Sequence, residues 1–167
     1  MRMAVRKIYT FFDLRTMKTE LVELGPDMLA AFRENFQKST RAKMRILVVE
    51  DDPMDAAILK ACFEPFVQVV KVEFATTSND AIEQLNSGFD LVLLDLNLGV
   101  GSGTKNAHGL DVIKYAKSRM FPVEFIVLTG SFTMDSEEVE TASDLGSLWA
   151  IKKPIRREQI EAILNRA

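Results

Sequence analysis

Glu50-Asp51-Asp52, Asp95, Thr129 and Lys152-Lys153-Pro154 share one property: each directly follows a short run rich in Val, Ile and Leu. Carboxylates gathered within a few ångströms repel one another, and a hard divalent cation with oxygen ligands relieves that repulsion. Mg2+ suits such a set, because it takes few protein ligands and leaves positions for water or phosphate oxygens. A phosphoryl group arriving at Asp95 would meet neutralising charge from the metal and from a lysine ammonium. The Thr129 hydroxyl would donate to a phosphoryl oxygen. Phosphoryl transfer asks for positioning and electrostatic stabilisation and for little covalent chemistry from the protein.

These residues share a site only if the apolar runs before them are neighbouring strands. Ile46–Val49, Val67–Val72, Leu91–Leu94, Phe125–Leu128 and Leu148–Ile151 have the length and composition of strands buried on both faces. Amphipathic stretches separate them: Asp55–Phe63, Asn79–Asn86, Leu110–Lys117, Ser136–Leu145 and Arg156–Asn165. Ser78 or Asn79 is expected to cap the second helix, and Gly88 and Gly146 to end the second and fourth. Five strand–helix repeats imply a parallel sheet covered by helices. In such a sheet ligands bind beyond the carboxyl ends of the strands, at the switch point of strand order. Taken singly, Asp95 reads as a loop cap, Thr129 as a β-branched strand residue, Lys153 as a surface charge and Asp52 as a helix cap. Their joint placement at one sheet edge is what singles them out.

The rest of the composition narrows the chemistry. A single cysteine, Cys62, excludes an internal disulfide and any multi-cysteine zinc site, and it sits on an apolar helix face as a core residue. A single histidine, His108, excludes His-rich metal sites. No apolar run approaches the roughly 20 residues of a membrane-spanning helix, so a cytoplasmic protein without a membrane partner is expected. The formal charge of −3 argues against nucleic-acid binding by the whole chain. That charge is uneven. Residues 1–43 hold nine Lys or Arg against five Asp or Glu, a net +4, and residues 44–167 hold twelve against nineteen, a net −7. The boundary falls at the polar stretch Ser39-Thr40-Arg41-Ala42-Lys43, giving an N-terminal extension over 1–43 and a second domain over 44–167. Spacing in the extension predicts a helix over 26–37, with Met28, Leu29, Phe32 and Phe36 on one face. Met44 is an alternative start, and the Phe11/Phe12 and Phe32/Phe36 pairs are interaction candidates.

Across Met44–Ala167 the motifs Ile46-Leu47-Val48-Val49-Glu50-Asp51-Asp52-Pro53, Asp90-Leu91-Val92-Leu93-Leu94-Asp95-Leu96, Val127-Leu128-Thr129-Gly130 and Lys152-Lys153-Pro154 resemble those of response regulator receiver domains. The resemblance implies an α/β, flavodoxin-like fold: a doubly wound five-stranded parallel sheet of order 2-1-3-4-5 with five helices. To this the sequence adds a partly helical N-terminal extension. By the resemblance, Asp95 is the phosphoacceptor, and Glu50 and Asp51 hold Mg2+ together with Asp95 and the backbone carbonyl of Asn97. Thr129 is the hydroxyl that follows the phosphoryl group, Lys153 is the conserved-type lysine, and Asp52 and Lys152 fall outside the set. Asn97 and Ser131 stand where the family tunes phosphoryl lifetime. The implied role is that of a stand-alone signalling protein rather than an enzyme. It would be phosphorylated by a separate histidine kinase or histidine phosphotransfer protein and read by a downstream protein through a face including Glu137, Glu138, Glu140, Trp149, Arg156 and Arg157. Self-association is a further expectation.

Three features depart from the family pattern. The glycine matching the one that follows the phosphoacceptor is Gly109, fourteen residues after Asp95, so the Gly-rich loop 99–108 is longer. The strand-five aromatic position, three before the lysine, is Ala150, while Trp149 faces the other way. No output domain is expected after the last helix. The long loop and Ala150 suit an alternative reading, a receiver-like interaction module that works without phosphorylation. A third reading, an aspartate-nucleophile phosphatase, asks for a second acid two residues after Asp95. Asn97 stands there and cannot act as an acid.

Overall fold

The computed structural model describes residues 7–13, 18–24, 43–99, 108–130 and 137–166. Strands β1 (Lys7–Asp13) and β2 (Lys18–Leu24) pair antiparallel along their whole length, from Lys7↔Leu24 to Asp13↔Lys18. Five strands follow: β3 (Met44–Val49), β4 (Val70–Ala75), β5 (Leu91–Asp95), β6 (Glu124–Thr129) and β7 (Trp149–Lys152). They run parallel in the order β4-β3-β5-β6-β7, so by their own rank the order is 2-1-3-4-5. The helices between and after them are α1 (Pro53–Phe63), α2 (Ser78–Leu85), α3 (His108–Ser118), α4 (Glu137–Asp144) and α5 (Arg157–Arg166). The expected doubly wound sheet with five helices is therefore present among the described residues.

Strand alternation sorts the core into two layers. Ile46, Val48, Leu91, Leu93, Ile126, Leu128, Trp149 and Ile151 pack with Leu59 and Phe63 of α1 and Ile160, Ile163 and Leu164 of α5. Leu47, Val49, Val92, Leu94, Phe125, Val127 and Ala150 pack on the other face with α2, α3 and α4. Burying each large aliphatic side chain stabilises the fold by about 1.5–3 kcal/mol, which is why near-continuous apolar runs belong in the central strands.

Several local expectations change. The second strand begins at Val70 rather than Val67, because Pro65 shapes a 3-10 turn over Glu64–Phe66. That turn takes the amides of Val67 and Val69 onto the carbonyls of Glu64 and Phe66. The cap of α2 is Thr77, not Ser78 or Asn79: Thr77 is extended and its hydroxyl accepts from the amide of Asp80 at 3.1 Å. Gly88 and Gly146 do follow α2 and α4 with left-handed φ of +79° and +83°. Cys62 is half-buried against the α1–α5 layer.

The N-terminal segment differs most. Its described part is a β-hairpin, and the helix expected over 26–37 lies outside the described residues, as does Ser136. β1 joins the free edge of β7 antiparallel through Phe12↔Ala150 and Asp13↔Trp149, extending the sheet to seven strands in the order β2-β1-β7-β6-β5-β3-β4. An unpaired edge strand exposes a row of backbone donors and acceptors, and β1 covers the Trp149–Ala150 part of that row. β2 lies against α5, and every residue of that helix from Gln159 to Leu164 is buried. Trp149 is only 6% exposed, so it does not belong to the outer face where the sequence placed it, whereas Glu137, Glu140, Arg156 and Arg157 are exposed.

Candidate functional site

The order of strands reverses between β3 and β5, so the switch point lies at their carboxyl ends. Strand parity decides which side chains meet there. Glu50, Asp95 and Lys153 continue the alternation of Ile46/Val48, Leu91/Leu93 and Trp149/Ile151, toward α1 and α5. Thr129 continues Phe125/Val127 on the opposite face. The same parity separates Lys153 from Lys152, which is exposed.

The Lys153 ammonium is the centre of the arrangement. Its Nζ lies 2.6 Å from Glu50 Oε2, 2.7 Å from Asp95 Oδ2 and 3.0 Å from Asp55 Oδ2. Glu50 and Asp95 are buried, while Asp55 is partly open to solvent. Burial alone would lower the pKa of Lys153, but hydrogen bonds to Asp95 and Glu50 outweigh it and hold the ammonium above its ordinary value. Burial pushes Glu50 up to about 7; Lys153 opposes that shift and the Asp95 charge adds to it. One lysine thus leaves negative charge uncompensated at this edge.

Backbone amides hold the remaining oxygens. Asp95 Oδ1 accepts from the amide of Asn97 at 2.9 Å, and Asp51 Oδ2 accepts from the amide of Gly99 at 2.9 Å, which ties the start of the long loop to the end of β3. Glu50 Oε1 accepts from the amide of Asp52 at 3.1 Å. Asp52 caps α1, its Oδ1 accepting from Met54 at 2.8 Å and Asp55 at 3.0 Å, and these two amides hold its carboxyl below the usual range. Thr129 is buried at the end of β6, and its carbonyl accepts from the amide of Lys153 at 2.9 Å, fixing the register of the two strand ends.

A divalent cation fits this set. Glu50, Asp51 and Asp95 each offer a carboxylate oxygen, and the three atoms lie within 4.8 Å of one another. Oxygen-only donors with one exposed member match the preference of Mg2+ for a few carboxylates and several waters.

The family-level comparison agrees with this geometry: the model of the response regulator receiver domain matches residues 46–165. The chain belongs to that family. Solved receivers share the fold. A CheY-like receiver domain protein from Methanospirillum hungatei is 25% identical, with a TM-score of 0.60 over 75% of this chain and 96% of its own. The signal receiver domain of a DNA-binding response regulator from Colwellia psychrerythraea is also 25% identical, with a TM-score of 0.62 over 74% of this chain and 97% of its own. Chemotaxis protein CheY4 from Vibrio cholerae, 19% identical, gives a TM-score of 0.62 over 75% of this chain and 98% of its own. No curated protein matches the chain significantly.

Within this receiver domain the structure brings together Glu50, Asp51, Asp95 and Lys153 and places Thr129 beside them on the next strand end. Asn97 is exposed, and its amide donates to Asp95 Oδ1. Loop residues 100–107 and Ser131 lie outside the described residues, and His108 opens α3. Sequence reasoning missed Asp55, which reaches Lys153 from the first turn of α1. The signal that could have found it is the Asp52-Pro53 pair, which starts a helix at the strand end and points its first turn over the site.

Proposed function

We propose that this receiver domain accepts a phosphoryl group on Asp95 from the phosphohistidine of a histidine kinase or histidine phosphotransfer protein. The observation that carries the reading is the Lys153 ammonium shared among buried Glu50 and Asp95 and half-exposed Asp55, beside a three-carboxylate set of Mg2+ type. A carboxylate oxygen of Asp95 attacks phosphorus and the P–N bond breaks. The imidazole nitrogen leaves with the electron pair, and an aspartyl phosphate remains. Lys153 neutralises charge on the transferred group, and Thr129 is the neighbouring hydroxyl able to donate to it. Glu50, Asp51, Asp95 and the Asn97 carbonyl would hold Mg2+, which supplies further neutralisation of the phosphoryl oxygens.

In this reading the chain signals by a changed protein–protein contact in the cytoplasm, and it is not an enzyme acting on other substrates. No helix among the described residues is long and apolar enough to cross a membrane. The test is intact mass of the full chain after acetyl phosphate and Mg2+, beside Asp95→Asn and an EDTA control. One phosphate adduct that requires both Mg2+ and Asp95 supports the reading. No adduct on folded protein, with a control receiver labelled in parallel, would instead favour a phosphorylation-independent interaction module.

A further inference from the structure

Lys153 has three N–H donors, and three carboxylates stand within 3.0 Å of its nitrogen. A phosphoryl oxygen can therefore gain the ammonium only by displacing one of them. The three partners differ in how they respond. Asp95 gives up carboxylate charge when it is esterified, so its own hold weakens. Glu50 is committed to the cation-type cluster with Asp51 and Asp95. Asp55 stands outside that cluster and is not altered by the reaction.

The position of Asp55 is fixed from below. Its amide donates to the Asp52 cap, and Pro53 starts the helix, so the first turn of α1 is anchored where Asp55 meets Lys153. Its Oδ2 accepts from Lys153 at 3.0 Å. We propose that Asp55 is a positioning residue that competes with the phosphoryl group for the Lys153 ammonium, shortening the life of the aspartyl phosphate. This rests on the reading of Asp95 as phosphoacceptor.

The direction follows from where charge moves. During hydrolysis water attacks phosphorus, the P–O bond to Asp95 breaks, the carboxylate leaves with the electron pair and orthophosphate is released. In a loose transition state negative charge builds on that leaving oxygen. An ammonium bound to the phosphoryl oxygens stabilises the phosphorylated state, whereas one held near the Asp95 oxygen stabilises the leaving group. Asp55, by competing for the ammonium, weakens the first of these stabilisations.

The experiment uses the full chain as wild type, Asp55→Asn, Asp55→Ala and Asp55→Glu, each loaded with acetyl phosphate and Mg2+. The donor is then removed and the loss of the adduct is followed by intact mass. Both neutral variants should keep the phosphate about three- to tenfold longer, the scale of one charge-assisted hydrogen bond. Asp55→Glu should return the half-life toward wild type. A structural role alone would not make two neutral variants agree and a longer acid rescue them, and urea midpoints on the same samples report folding. Unchanged or shorter half-lives in both neutral variants, with a normal wild-type adduct, overturn the inference alone. Absence of any Asp95-dependent adduct in wild type overturns the phosphoacceptor reading, and this inference with it.

Discussion

Gly109 backs directly onto the carbonyl of Asp95. A Cβ at position 109 would stand 2.5 Å from Asp95 O and 3.0 Å from Leu96 Cα, both backbone atoms. The glycine therefore lets the first turn of α3 close over the end of β5 in spite of the lengthened loop before it. Two effects of Gly109→Ala oppose each other. Helix propensity favours alanine by about 0.5–1 kcal/mol, whereas overpacking against backbone costs about 1–3 kcal/mol. The steric term wins, and the variant should lose about 1–2 kcal/mol of stability in urea denaturation. A variant as stable as wild type would mean that α3 can shift away from β5 at no cost.

Ala150 occupies the strand position where receivers carry an aromatic. It is buried in the layer that also holds Val127, Val139 and Ala142, with β6 on one side and β1 on the other. Close packing leaves such a site without spare volume. Installing the usual residue, as Ala150→Tyr, should cost about 1–3 kcal/mol rather than restore anything. Calorimetric unfolding of the variant checks this, and a melting temperature equal to wild type would show unfilled space beside Ala150.

What the sequence revealed depended on the range of the interactions involved. Runs such as Leu91–Leu94 and Phe125–Leu128 are apolar throughout because both faces of a central parallel strand are buried, so strands and strand ends were readable locally. The residues just past those ends, Glu50, Asp95 and Lys153, followed from that reading and from parity. Asp55 did not, because it enters from a helix turn rather than from a strand end. The hairpin was hidden for a different reason. Its second strand, Lys-Thr-Glu-Leu-Val-Glu-Leu, alternates too weakly to separate strand from helix, and its docking depends on β7 at the far end of the chain.

Met120 closes α3 with a left-handed φ of 53°, the position where helices prefer glycine, and the amide of Phe121 reaches back to the carbonyl of Ala116 at 3.0 Å. The Met120 side chain is 87% exposed, so removing it forfeits almost no burial. Phe121 still anchors the turn through its edge contact with Tyr115, with ring centroids 6.1 Å apart. Met120→Gly should therefore stabilise the protein by about 0.5–1 kcal/mol, the left-handed penalty of a side chain less the added backbone freedom of glycine. A rise in the urea midpoint at unchanged slope is the expected readout, and a fall would place the Met120 side chain in a contact that matters.

Glu161 is buried on α5 with no hydrogen-bond partner for its Oε1 among the described residues. Burial raises its pKa, Arg157 opposes that shift in part and Glu158 adds to it. A carboxyl whose folded pKa lies above its unfolded value binds a proton in the folded chain at pH values where the unfolded chain has released it. Stability then falls as pH rises from the ordinary glutamate pKa of about 4.3 through the higher folded value. Below that window the group is neutral in both states and carries no charge penalty. Glu161→Gln and Glu161→Leu remove the titration. Each should be more stable than wild type by about 1–2 kcal/mol at pH 8, with the difference shrinking toward pH 4. Urea unfolding at both pH values decides the matter: a stability difference independent of pH would show that the Glu161 carboxylate is already solvated or paired in the folded chain.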